Sequence, residues 1–195
     1  MTHLQSLLRK TALCAGLIVC SAAPLTSIAA PLKADPAKSS VTIVFKQLNV
    51  PVEAKFKKFA TQIDFNNAQP EASKASVDIE IPSFDLGDPD YNKEVLNKEW
   101  FNAQQFPRAS FVTSSIKASA GAPAGSKYEV AGKLTIKGKT ADVRFPLNVK
   151  KEGNAQVFEG ALPIKRLTYN IGEGEWQDTG MVADEITIKF RLVAQ

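Results

Sequence analysis

The chain has 195 residues, of which 44% are hydrophobic and 23% charged, and its formal net charge is +4 at neutral pH. So small a positive charge gives little support to a nucleic-acid partner, and we expect none. The single histidine, His3, and both cysteines, Cys14 and Cys20, lie near the N-terminus. The rest of the chain lacks the side chains needed for a cysteine nucleophile, a histidine base, disulfides and most zinc or haem sites.

Residues 1–30 follow the three-part pattern of a secretory signal peptide. Arg9 and Lys10 precede an apolar run over 11–20, and a stretch of small residues follows, with Ala29 suited to the position before cleavage. A membrane-spanning helix needs about twenty apolar residues, twice this run. We therefore predict a cleaved signal peptide at 1–29, a single domain at 30–195, no stable membrane insertion, and a soluble product that is periplasmic or also secreted.

After Ser39, apolar residues recur at every second position, the period of a strand with one buried face. Turn residues at 137–139 and 151–154 indicate hairpins, and 118–126 reads as a flexible hairpin loop. The pattern predicts about eight antiparallel strands, at 41–45, 59–65, 75–81, 111–113, 128–136, 141–149, about 157–164 and 186–192.

One stretch breaks this alternation and indicates a helix. Asp88 is a good N-cap before Pro89, and Tyr91, Val95 and Trp100 follow at near-helical spacing. We predict a helix from Pro89 to Gln104, ended by Pro107.

An all-β chain removes its sheet edges by closing into a barrel, whose interior is either filled by side chains or holds one small ligand. Apolar strand faces alone do not distinguish these cases, since core packing explains them equally. All 11 phenylalanines follow residue 30, together with both tryptophans. So many rings for one small barrel favour a ligand pocket.

Seven segments of the chain are informative together: Asp35 to Phe45, Lys57-Lys58-Phe59, Asp85-Leu86-Gly87, Trp100-Phe101-Asn102, Gln105 to Phe111, Gly132 to Gly138 and Arg166 to Gly172. As a set they resemble the YceI-like family of exported bacterial proteins. The resemblance implies a lipocalin-like barrel with a short helix and a long apolar tunnel for a polyisoprenoid or another long amphiphile. Some members have a histidine at the position of Leu48, which leaves the preferred head group open.

We predict a set of apolar side chains as the wall of the ligand site, with ordinary core packing as the alternative for each member. No catalytic residue and no metal ligand is predicted. The wall residues are Phe45, Phe59, Ile79, Phe84, Trp100, Phe101, Phe111, Leu134, Ile136, Phe145, Trp176 and Phe190.

Other polar patterns are weaker. Asp88, Asp90, Asn92 and Glu99 have partial calcium-loop spacing, but Lys93 replaces the glycine of the turn, and a helix cap explains the same residues. The segment 172–176 lacks the third glycine of a dinucleotide loop and is better read as a mobile loop at the barrel mouth, with Trp176 as lid or wall. Two further groups have alternative functional readings: the acid pairs Asp85 with Asp88 and Glu173 with Glu175, and the basic cluster Lys55, Lys57 and Lys58.

The leading hypothesis is a non-enzymatic carrier or scavenger with no catalytic cofactor. It would hold a polyisoprenoid, a quinone-like molecule or another long amphiphile, and lipophilic antibiotics if it is released from the cell. The alternatives are a cofactor-free lipid hydrolase or isomerase that uses carboxylates, and a structural barrel that binds another protein. The pattern leaves monomer and homodimer equally open.

Overall fold

A computed structural model describes residues 31–121 and 127–195. The predicted signal peptide at 1–29 lies outside the described residues, as does most of the predicted loop at 118–126. Among the residues described, no helix has the length and apolar character that crossing a membrane requires.

The described chain forms one antiparallel sheet and one short helix. The order of strands in the sheet is β3-β4-β6-β7-β8-β9-β10-β1-β2-β5. The elements are β1 (Ser40–Gln47), β2 (Val50–Phe56), β3 (Phe59–Asp64), β4 (Lys74–Glu80), β5 (Phe84–Asp85), α1 (Pro89–Glu94), β6 (Arg108–Ala118), β7 (Lys127–Ile136), β8 (Lys139–Glu152), β9 (Ala155–Lys165) and β10 (Glu185–Ala194).

The sheet curls so that its alternate residues enclose one apolar interior. The extended segment before β1 connects two distant strands: Leu32 pairs with Ile63 of β3, and Ala34 pairs with Ala194 of β10. In this way residues 32–34 join the first strand of the sheet order to the strand that carries the C-terminus. This all-β architecture with one short helix confirms the predicted fold class.

The number of strands was underestimated, because β2 and β5 were not predicted. In β2, Pro51 and the exposed Val50 obscure the alternation, and only Ala54 and Phe56 are fully buried. β5 has two residues, too few for any period to be visible. Both strands extend the sheet beyond β1.

The helix is shorter than predicted. Asp88 caps it as expected, because its carboxylate accepts hydrogen bonds from the backbone N–H groups of Asp90 and Tyr91, but α1 ends at Glu94 rather than Gln104. Residues 95–104 instead form consecutive turns, in which the Phe101 N–H donates to the Val95 carbonyl at 3.0 Å. A spacing of three to four residues fits such turns as well as a helix, and this similarity explains the error.

Two tight turns fix the register of neighbouring strands. The predicted turn between β7 and β8 contains Lys137 and Gly138, both with positive φ (48° and 72°), as a two-residue hairpin of the type I′ class requires. Leu48 and Asn49 (φ 49° and 63°) play the same role between β1 and β2.

Candidate ligand-binding tunnel

The centre of the barrel contains an elongated cavity of ≈ 150 Å³ with a wholly apolar surface. Ile186, Ile188, Phe190 and Leu192 of β10 all line it, since alternate residues of a strand point to the same side. Six residue steps of about 3.4 Å separate the first from the last of them, so the stretch of β10 that lines the cavity is about 20 Å long. We call this space the inner cavity.

The inward side chains of the middle strands do not fill this space. Ile43, Ile188 and Phe190 point inward and line the cavity, yet each is only half-buried. In a solid core such large apolar residues would be buried completely. The interior is therefore hollow along part of its length, a property that the strand pattern left open.

Aromatic side chains close one end of the inner cavity. The ring of Phe65 meets those of Tyr128 and Phe158 edge to face, with centroid distances of 5.2 and 5.4 Å. Tyr128 is 1% exposed, and its hydroxyl donates to the Asn67 side-chain oxygen. Burial raises the pKa of this phenol, which therefore stays neutral.

The opposite end leads into a second cavity of ≈ 110 Å³, which we call the outer chamber. Ile43, Phe101, Ile171 and Ile186 line both spaces, so the two adjoin. Among the described residues, charged side chains line the outer chamber together with apolar ones, unlike the inner cavity. Its other lining residues are Phe45, Gln47, Phe84, Leu86, Tyr91, Glu94, Val95, Trp100, Arg166, Trp176 and Val182.

Arg166 holds the outer chamber together. It is 0% exposed, and its guanidinium donates to five backbone carbonyls, using every N–H that an arginine has. Burial lowers the pKa of this group, although arginine remains charged in proteins. The guanidinium carbon lies 5.8 Å from the centre of the Trp100 ring. That ring packs against the ring of Trp176, with 5.2 Å between the two ring centroids.

Lys137 is a second buried cation at this end of the barrel. Its ammonium donates to the carbonyls of Lys98 and Asn170 at 2.8 and 2.7 Å, and to the Glu173 carboxylate at 2.8 Å. These bonds connect the β7–β8 turn to the two segments that carry Trp100 and Trp176. The chamber wall is thus held from two directions, and of the two predicted roles for Trp176, lid or wall, it lies in the wall.

All of the predicted wall residues except Phe59 line one of the two spaces. Ile79, Phe111, Leu134, Ile136, Phe145 and Phe190 line the inner cavity, Phe45, Phe84, Trp100 and Trp176 line the outer chamber, and Phe101 lines both. Phe59 packs against the core but faces neither space. That the wall residues contact a ligand stays a prediction.

The two buried cations were missed. For Arg166 a signal exists: Leu162 and Ile164 of β9 are buried, and the same alternation places residue 166 on the inner side. A charged residue at an inward position points to a buried polar network. For Lys137, in a hairpin turn, no such signal exists.

Three of the four residues in the predicted acid pairs have structural partners. Asp85 accepts from Lys57 at 2.8 Å and from the Asn92 amide at 3.1 Å, and these bonds lower its pKa to about 2. Asp88 caps α1, and Glu173 pairs with Lys137. Across 31–121 and 127–195, no three acidic, histidine or cysteine residues form a cluster able to hold a metal ion.

A curled antiparallel sheet with one short helix and an apolar interior defines a lipocalin-like barrel. The chain belongs to the YceI-like family, because the model of the YceI-like domain matches residues 32–194. The matched range includes every residue that lines the two spaces.

Solved structures of the same fold are similar over most of the chain. The BcnA protein of Burkholderia cenocepacia is 51% identical, with a TM-score of 0.79 over 83% of this chain and 99% of that one. A polyisoprenoid-binding domain from Saccharophagus degradans, described as implicated in plant cell wall breakdown, is 16% identical, with a TM-score of 0.68 over 86% and 99% of the two chains. The second likeness, at this identity, concerns the fold alone.

Curated relatives match shorter segments. A UPF0312 protein of Photorhabdus laumondii is 32% identical over 98 residues, 50% of this chain and 48% of the relative. The YceI protein of Salmonella arizonae is 27% identical over 139 residues, 68% of each chain. The chain thus spans about half the length of the first of these relatives.

Proposed function

We propose that this protein is an exported carrier or scavenger that encloses the hydrocarbon part of a polyisoprenoid, a quinone-like molecule or another long amphiphile. The observation that carries the proposal is the wholly apolar inner cavity, which is lined along about 20 Å of β10. Each buried methylene contributes about 0.8 kcal/mol, so a long chain gains affinity from such a space without any polar contact. The polyisoprenoid-binding domain named above, which shares the fold, supports this choice of ligand.

Non-covalent binding, not catalysis, is the proposed activity. Asp85 and Glu173, the leading members of the acid pairs, are engaged by lysines outside both spaces. The periplasmic location rests on the signal-peptide pattern at 1–29. If the protein is released from the cell, the same cavity would also suit lipophilic antibiotics.

Native mass spectrometry of protein purified from the periplasm of its own bacterium, combined with lipid extraction, tests the proposal. We expect a stoichiometric hydrophobic adduct. Protein that carries no adduct and takes up no long-chain lipid in vitro would refute the carrier. Turnover of such a lipid that is lost on Asp85→Asn or Glu173→Gln substitution would support the enzyme alternative instead.

A blocking variant tests whether the ligand binds inside the barrel. Ile188 lies midway along β10 and lines only the inner cavity, so Ile188→Trp puts a bulky ring into the free space. Lys189→Trp is the matched control, because Lys189 is exposed on the outer face of the same strand. We expect loss of the adduct from the first variant alone, with both proteins folded by circular dichroism. Equal adduct on both variants would place the ligand elsewhere.

A further inference from the structure

The outer chamber is where the polar end of a chain held in the inner cavity would lie. The two spaces adjoin through Ile43, Phe101, Ile171 and Ile186, and the outer chamber is lined in part by the exposed residues Tyr91 and Glu94. The chemistry of this chamber therefore decides which polar ends are accepted.

The two buried cations at this end of the barrel, Arg166 and Lys137, have all their N–H groups hydrogen-bonded. The five N–H groups of Arg166 donate to five backbone carbonyls, and the three N–H groups of Lys137 are matched by three acceptors. A phosphate or carboxylate would have to break these bonds to gain a donor. Neither cation is available as a receptor for an anion.

The remaining charged residue of the chamber has the wrong sign for an anion. Of the described lining residues, only Arg166 and Glu94 are charged. Glu94 is exposed at the end of α1, and its carboxylate accepts a hydrogen bond from the Asn97 side-chain amide at 2.9 Å. An anionic head group placed near it meets repulsion, whereas a neutral one does not.

We propose that the outer chamber selects long-chain lipids with an uncharged polar end, such as an alcohol or a quinone, against those that end in phosphate or carboxylate, and that Glu94 is a specificity-determining residue. This inference rests on the proposed carrier function. Among the described lining residues, the buried Trp100 Nε1–H has no hydrogen-bond partner and can serve a neutral oxygen, but it is an uncharged donor. A phosphate drawn into the chamber would lose its water without gaining a free cation, which is costly for a charge. A phosphate that stays in solvent holds the chain further out and reduces the apolar surface that it buries.

Geranylgeraniol and geranylgeranyl monophosphate form a matched pair of probes, since they share one hydrocarbon chain and differ only at the end. Their dissociation constants are measured with delipidated full-length mature protein, below the concentration at which either probe forms micelles. We expect the alcohol to bind at least about tenfold more tightly, the ratio that corresponds to about 1.4 kcal/mol. Adding salt should reduce this ratio, because it screens the exposed carboxylate.

The variant Glu94→Gln removes the charge and keeps the shape, and Asp90→Asn, an exposed acid on the same helix outside the chamber lining, is the control. Glu94→Gln should narrow the ratio by about twofold to fivefold, the size of an exposed charge interaction, and Asp90→Asn should leave it unchanged. Equal or tighter binding of the phosphate, or identical ratios for both variants, would overturn the inference and leave the carrier function standing. Failure of both probes to bind would overturn the carrier function and this inference with it.

Discussion

Replacing Arg166 with methionine should destabilise the protein strongly, because it removes every hydrogen bond from five carbonyls at once. The bonds range from 2.6 to 3.3 Å, and Arg166 has no solvent exposure. Each buried acceptor left without a donor costs about 1–3 kcal/mol. Relaxation of the chamber wall and entry of water would offset part of this total. We therefore expect the free energy of unfolding to fall by about 3–5 kcal/mol, the range found when one partner of a buried charged network is removed.

Urea denaturation measures this loss, with two probes followed in parallel. Tryptophan fluorescence reports on the chamber, since Trp100 and Trp176 are the only tryptophans and both line it. Far-UV circular dichroism reports on the whole sheet. Arg166→Lys, which keeps the charge but offers three donors rather than five, should lose about half as much stability as the methionine variant.

Arg144→Met is the matched control. Arg144 is exposed and forms only a long ion pair, 3.9 Å from Glu129, so its loss should change stability by less than about 0.5 kcal/mol. A loss below about 1 kcal/mol for Arg166→Met, or one equal to that of the control, would refute the view that this guanidinium holds the chamber together.

Two further predictions concern the sheet and its acid sensitivity. A Cβ atom on Gly132 would lie 2.5 Å from the Val112 carbonyl oxygen, so Gly132→Ala should lower the unfolding free energy by about 1–3 kcal/mol. At a site without such a clash, the same exchange usually raises it by about 0.4–1 kcal/mol. Urea denaturation measures the change, and a stabilised variant would contradict the expectation. The pKa of the Asp85 carboxyl is about 2 in the folded protein, against 3.8 for the same group without its folded-state partners. Because the folded-state pKa is the lower one, the carboxylate stabilises the fold above about pH 4, and this contribution is lost as the pH falls toward 2. The difference in unfolding free energy between wild type and Asp85→Asn, measured by denaturation across this pH range, should vanish at the acidic end. The same difference should be smaller at every pH when both proteins also carry Lys57→Met. A wild-type advantage that does not change with pH would contradict the proposed role of the Asp85–Lys57 pair.

Strand periodicity predicted which residues face the interior wherever a strand is long and regular, although of the four in β10 only Phe190 was named as a wall residue. In β10, Ile186, Ile188, Phe190 and Leu192 were placed on one face by their spacing alone, and all four line the inner cavity. The pattern is reliable there because a one-residue slip would turn every apolar side chain outward.

Features that depend on distant partners were not predictable in the same way. The hollow interior is one, since an inward isoleucine has the same sequence context whether it packs against a neighbour or faces empty space. The hydrogen-bond sets of Arg166 and Lys137 are another, because most of their acceptors are backbone carbonyls, which any residue type supplies. The missed strand β2 is a local failure, caused by Pro51 within an otherwise alternating segment.

The pairing of β1 with β10 has a consequence for how the protein reaches its native state. Arg191 on β10 donates to the Lys38 carbonyl, 153 positions earlier in the chain, and β1 lies between β10 and β2 in the sheet. Such non-local pairing slows folding, because the chain must close a very large loop before these contacts form. Closure of the barrel therefore waits until β10, the last in chain order of the described strands, has been synthesised and can pair with β1.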